Sequence, residues 1–209
     1  MRGSRYALQL WLVACLAFWS GAAQASDLII GSVMAVRGDV FRDEGANREP
    51  LVAKTPLHPS DVIVSGTGKA RIGLNDGTII CIGENSRVQL AEYQSTANGL
   101  KTRLGLKAGV LRLLVNPWNT GGQFEVESEV ALAAVRGTDW LIEVTPQQTS
   151  VAILRGTVAV SGRGAVTTAA VLLTTPGQGT DVRRGEPPTP VATWGAARLA
   201  STVARATFE

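Results

Sequence analysis

Apolar and polar positions alternate along most of the chain, and the alternation has the period of strands. Residues 28–36 are apolar and rich in β-branched side chains, and residues 38–42 follow after a break at Arg37-Gly38. Residues 61–64 form a short run closed by Ser65-Gly66-Thr67-Gly68. Across 69–74, Ala70, Ile72 and Leu74 share one face, as side chains two apart do in a strand. Asn75-Asp76-Gly77 predicts a hairpin, since Asp-Gly accepts the positive φ of a type I′ turn, with residues 78–82 returning. Residues 100–106 and 110–115 read as two strands joined by Lys107-Ala108-Gly109. Residues 87–91, 123–127, 131–135, 140–144, 149–154, 157–160 and 165–174 continue the rhythm. The expected core is Ile72, Leu74, Ile80, Val88, Leu90, Leu113, Phe124, Val126, Leu141, Ile153 and Val158.

Strands recurring at ~8–12 residues with glycine turns between them predict an all-β fold, an antiparallel strand-rich sandwich or short β-roll. No stretch before residue 190 keeps a helical period for three turns, which excludes βαβ architectures. Pro187-Pro188-Thr189-Pro190 makes 185–190 a Pro-rich linker. Residues 191–209 are Ala-rich, with Val191 and Trp194 three apart and Leu199 and Val203 four apart. That spacing predicts one C-terminal helix, packed on its own domain or presented to a partner. The expected organisation is a signal peptide at 1–25, a β domain at 26–184, the linker and the helical tail.

The N-terminal segment departs from this pattern. Arg2 and Arg5 precede an apolar stretch at 7–19, and Ala23-Gln24-Ala25 offers the small residues a signal peptidase reads. Export to the periplasm with cleavage after Ala25 is expected. Leu12-Val13-Ala14-Cys15 resembles a lipobox, so the membrane enters as a partner only if Cys15 is lipidated. Without Arg2 and Arg5 the formal charge of +3 falls to +1, which gives no reason to expect nucleic acid as a partner. Cys81 is then the one remaining cysteine, in the apolar run Thr78-Ile79-Ile80-Cys81-Ile82, and a buried, inert thiol is expected.

Catalytic chemistry finds little footing. The single histidine, His58, has no second ligand at metal spacing and no serine motif around it. Asp76-Gly77-Thr78 has the wrong order for an aspartic protease, and its aspartate has a role in the turn. No catalytic residue, cofactor or metal is assigned. Arg136-Gly137-Thr138-Asp139 reads as a structural corner in which Gly137 permits a tight turn and Arg136 pairs with Asp139. Trp118 and Asn119, in the loop 116–122, and Trp194, at the start of the tail, are candidate partner contacts.

In order along the chain, these elements resemble the FecR domain family. Gly31-Ser32-Val33 and Gly38-Asp39-Val40 match its opening, and Leu74-Asn75-Asp76-Gly77-Thr78 with Gly83-Glu84-Asn85-Ser86 match its centre. Val135-Arg136-Gly137-Thr138-Asp139-Trp140 resembles its Arg-Gly-Thr-x-aromatic signature, and Leu154-Arg155-Gly156-Thr157-Val158 its Glu-Gly-x-Val repeat. The resemblance spans about 29–175. It implies a periplasmic β domain. The best-known members relay occupancy of an outer-membrane receptor to a sigma factor, and they carry an anti-sigma segment and a transmembrane helix. With fewer than ten residues before the apolar stretch, this chain is expected to lack both. The expectation is a non-catalytic protein-binding module in envelope signalling or scaffolding, with another envelope protein as partner. The alternative is a module binding peptidoglycan or polysaccharide through Trp118 and Trp140.

Overall fold

A computed structural model describes residues 28–45, 47–97, 99–117, 122–164 and 169–208. They form seventeen strands and one helix, numbered in chain order and arranged as two sheets. The first sheet runs, edge to edge, β4 (Pro56–Leu57), β1 (Gly31–Arg37), β6 (Lys69–Leu74), β7 (Ile79–Ile82), the C-terminal part of β9 (Gly99–Leu114), β12 (Asp139–Val144), β13 (Gln148–Arg155), β16 (Gln178–Arg183) and β17 (Ala192–Thr193). The second runs β3 (Arg48–Pro50), β2 (Val40–Asp43), β5 (Val62–Ser65), β8 (Arg87–Thr96), the N-terminal part of β9, β10 (Gln123–Glu127), β11 (Ala131–Val135), β14 (Val158–Gly162) and β15 (Val171–Leu173). This is the all-β architecture that the alternation predicts.

One hydrophobic core draws on both sheets. Ile72, Ile80, Leu113, Trp140 and Ile153 from the first share it with Val88, Leu90, Leu104, Phe124, Val126 and Val158 from the second. All eleven expected core residues are buried, although Leu141 belongs to a separate cluster on the opposite face of the first sheet.

Three local expectations are corrected. Residues 100–106 and 110–115 are not two separate strands; 100–114 belong to one strand, β9, that bends and passes from the second sheet to the first, and Val115 lies just beyond it. Gly109 makes the bend at φ +95, where an added Cβ would stand 2.4 Å from the Ser86 Cα. The buried Ser86 hydroxyl accepts the Val110 N–H at 3.0 Å and so pins the strand where it changes sheets. At 75–77 the turn has three residues, with Leu74 N–H donating to the Thr78 carbonyl and Gly77 alone at positive φ, 83°. Asp76 keeps negative φ, and its carboxylate accepts the Thr78 N–H and hydroxyl, so the type I′ expectation fails. The third exception is β10, which pairs parallel to β9 within an otherwise antiparallel arrangement.

The tail also differs in detail. Residues 192–193 form β17 against β16, and α1 (Ala196–Ala206) begins after Gly195. The segment before it is fastened to β16: the Asp181 N–H donates to the Thr189 hydroxyl at 3.0 Å, and Thr189 N–H donates to the Asp181 carbonyl at 2.9 Å.

Candidate functional site

The Arg-Gly-Thr sequence occurs at 136–138 and again at 155–157, and the fold brings the two copies together. The first carries the chain from β11 in the second sheet to β12 in the first; the second carries it back from β13 to β14. Gly137 lies at φ +59 and Gly156 at φ +96, conformations that glycine adopts without a Cβ penalty. A Cβ on Gly156 would approach Thr138 Cγ2 at 2.7 Å and the Gly137 carbonyl at 3.0 Å, so the corners lean on each other. A Cβ on Gly137 would meet Pro117 Cβ at 2.6 Å. Thr138 is buried, and its carbonyl accepts the Val115 N–H at 2.8 Å.

The expected Arg136–Asp139 pair does not form. Asp139 is instead held by Arg112 of β9, whose Nε and Nη2 donate to its two carboxylate oxygens at 3.0 and 2.8 Å. This hydrogen-bonded pairing raises the Arg112 pKa above its ordinary value, against the opposing effect of burial. Arg136 is exposed and borders an open depression of about 340 Å³ on the second sheet, with Gln123, Ala134 and Thr157.

Other sequence candidates fall in varied places. Trp118 and Asn119, like Ala25 and Cys15, lie outside the described residues. Trp140, a stacking candidate, is fully buried in the main core and has no face to offer a sugar. Cys81 is buried on the far face of the first sheet, in register between Arg71 and Arg112. His58 caps a turn, its N–H donating to Asp61 Oδ2 at 2.9 Å. Among the described residues, no three His, Cys, Asp or Glu side chains converge on a position for a metal ion.

Trp194, expected as a partner contact, is 7 % exposed and packs within its own chain. It anchors α1 across the outer face of the first sheet. Beneath the helix, Val110, Leu141 and Ala152 join Trp194 and Ala206 in a second apolar cluster, edged by Leu154, Leu199 and Val203. The sheet supplies room by omitting side chains. A Cβ on Gly179 would sit 2.1 Å from the Trp194 indole nitrogen, and one on Gly83 would sit 2.6 Å from the Arg205 carbonyl.

Polar contacts fix the helix direction across the strands. Arg198 stacks on the Trp194 ring at 3.7 Å and donates to both Asp181 oxygens, at 2.6 and 3.2 Å, and to the Ser150 hydroxyl at 3.1 Å. Burial pushes the Asp181 carboxyl up, but hydrogen bonds from Arg198 and Ser150 outweigh it and hold the pKa below its ordinary value. One heptad further on, Arg205 pairs with Glu143 at 2.5 Å, and the Lys69 ammonium donates to the Ala204 carbonyl at 2.9 Å. A cation at a helix C-terminus is favourable, because the last carbonyls carry partial negative charge. Phe208 ends the described chain with its ring 5.8 Å from the Arg37 guanidinium and 6.0 Å from that of Arg71. Sequence reasoning missed this docking face; its signal was glycine inside β16 at 179 and just past the end of β7 at 83, beside the apolar outward positions Val110 and Leu141.

Residues 61–159 match the family model described as FecR protein, a narrower span than the motifs suggested. Two crystal structures, at 1.65 and 2.50 Å, of a candidate anti-sigma factor from Parabacteroides distasonis share the fold. Each aligns with a TM-score of 0.53 at 15 % identity, covering 66 % of this chain and 61 % of the other. The chain thus spans less than two thirds of the length of those structures. No curated protein matches it in sequence. The family match thus covers residues 61–159, a little under half of the chain.

Proposed function

We propose that this FecR-domain chain is a non-catalytic protein-binding module of envelope signalling, exported to the periplasm with its leader removed after Ala25. The observation that carries the reading is the FecR match over 61–159, on a fold shared with a candidate anti-sigma factor. The ionisable side chains support it. Glu125 is buried against Arg103 at 2.9 Å, and Asp139 is clamped by Arg112, so each serves the framework. What the framework offers is rigid strands, corners and a sheet face that already receives a helix. Such surfaces recognise proteins.

In-cell crosslinking followed by capture of the tagged chain tests the proposal, with sedimentation on purified peptidoglycan as its counterpart. A crosslinked envelope protein in stoichiometric yield is the expected result. Sedimentation with peptidoglycan and no protein adduct would favour the polysaccharide reading instead, which Trp140, now placed in the core, no longer supports.

A further inference from the structure

The helix α1 occupies a face that the main core does not need. The core between the sheets is complete without any residue after Val182, save the marginal packing of Val191. Trp194 and Ala206 belong to the separate cluster on the outer side. The helix itself is weakly founded. It has eleven residues, fewer than the ~12–15 at which an isolated helix becomes marginally stable. Its N-cap is Gly195 with no side-chain capping bond, and its first turn holds no acidic residue to complement the N-terminal dipole. Its grip is one indole over Gly179, the buried Thr202 and Ala206 with a thin apolar edge, the Lys69 ammonium on the Ala204 carbonyl, and two arginines, Arg198 and Arg205, that reach the acidic positions Asp181 and Glu143. Release of the helix would open a groove with the apolar floor Val110, Leu141 and Ala152 between two carboxylates, while leaving the sandwich whole.

We propose that this groove is the docking site for an amphipathic helix of a partner protein that carries two cationic side chains two turns apart, and that α1 is the chain's internal competitor for it. The inference deepens the protein-binding reading and rests on it. The occupant's chemistry follows from charge complementarity. The floor accepts apolar side chains along one helix face, and the Asp181 and Glu143 carboxylates accept cations at positions related as Arg198 is to Arg205. A partner helix with a full first-turn cap and a larger apolar face would displace α1 by mass action, so the chain responds to the partner's concentration.

The probe is a fluorescein-labelled peptide of residues 191–208, added in trans to the full chain and followed by fluorescence anisotropy. Trp194→Ala in the full chain should loosen the resident helix and tighten peptide binding by about ten-fold or more over the wild type. Adding Glu143→Lys and Asp181→Lys should reverse that gain. A peptide carrying Arg198→Glu and Arg205→Glu should then bind the reversed groove better than the native peptide does. This charge swap separates recognition from mere damage to the fold. Equal binding by wild type and Trp194→Ala, or binding indifferent to the groove charges, would overturn the proposal. So would loss of β circular dichroism in Trp194→Ala, because the core would then need the helix. Dimerisation of Trp194→Ala that excludes the peptide would assign the groove to a second copy and also overturn it. The protein-binding reading fails separately, if crosslinking captures nothing while the peptide binds as expected. Conversely, equal partner capture by wild type and the charge-reversed chain leaves that reading standing and sinks this one.

Discussion

Replacing Gly137 by alanine tests whether the first Arg-Gly-Thr corner is structural, and the structure sets the size of the effect. The backbone there sits at φ +59, a conformation that costs an L-residue with a Cβ about 1–2 kcal/mol. The new methyl would also lie 2.6 Å from Pro117 Cβ and 2.8 Å from Pro117 Cα, so the chain after β9 must move. Overpacking of that kind costs about 1–3 kcal/mol. The sum is about 2–5 kcal/mol, or a fall in Tm of roughly 4–20 °C at the ~2–4 °C per kcal/mol expected for a domain of this size. Gly185→Ala is the control. It has the same handedness, φ +73, but open space within 4 Å, so it reports the conformational cost alone. Far-UV circular dichroism melts of the two variants should therefore differ by the steric share. If Gly137→Ala melts with Gly185→Ala, Pro117 yields freely and the corner is not a packed joint. An unchanged melt for both would refute the backbone argument as well.

Three further outcomes are expected. A double-mutant cycle of Arg112→Ala and Asp139→Ala should show a coupling of about 1–2 kcal/mol in urea unfolding, while Arg136→Ala and Asp139→Ala should be additive. Acid should loosen α1 before the sandwich. The Asp181 pKa is lowered in the folded chain, so its stabilisation is complete above the ordinary aspartate value of about 3.9 and is lost as pH falls through the lower folded value. Amide exchange across 196–206 should accelerate in that acid range, and Asp181→Asn should remove the pH dependence. If the proposed export holds, intact-mass measurement of the chain recovered from a periplasmic fraction should show a start at Ser26; a lipid-bearing start at Cys15 would refute the cleavage proposal.

The two-sheet fold was legible because burial on one face imposes a period of two, and Ala70-x-Ile72-x-Leu74 or Phe124-x-Val126 leaves little choice of orientation. Connectivity was not legible at β9. Lys107-Ala108-Gly109 carries the chemistry of a turn, and glycine at φ +95 serves a hairpin or a bend equally well. The deciding contact is remote: the Ser86 hydroxyl on the Val110 N–H, from a residue that local reading had placed only within a motif. Parallel pairing of β10 with β9 was hidden for a similar reason. Alternation says which face a strand buries but not which neighbour it lies beside.

The same limit explains the two errors at the candidate sites. Arg136 and Asp139 stand three apart, which suggested a pair, but the turn at Gly137 sends Arg136 toward the second sheet and Asp139 along the first. Asp139 then meets Arg112, 27 residues earlier, because β12 lies beside β9. Trp194 is a candidate partner contact by sequence, in a tail that packs on its own domain or is presented to a partner, yet it precedes α1 and is buried over Gly179. A glycine inside a strand marks a bulge, a bend or a close approach. At 179, and at 83 just past the end of β7, glycine marks the approach of residues 194–205, and no pattern within the tail reveals that. A leucine at 179 would displace the indole while adding apolar surface to the sheet. The docking face is thus specified as much by the side chains its strands omit as by those the helix supplies, and a partner helix must meet the same omission.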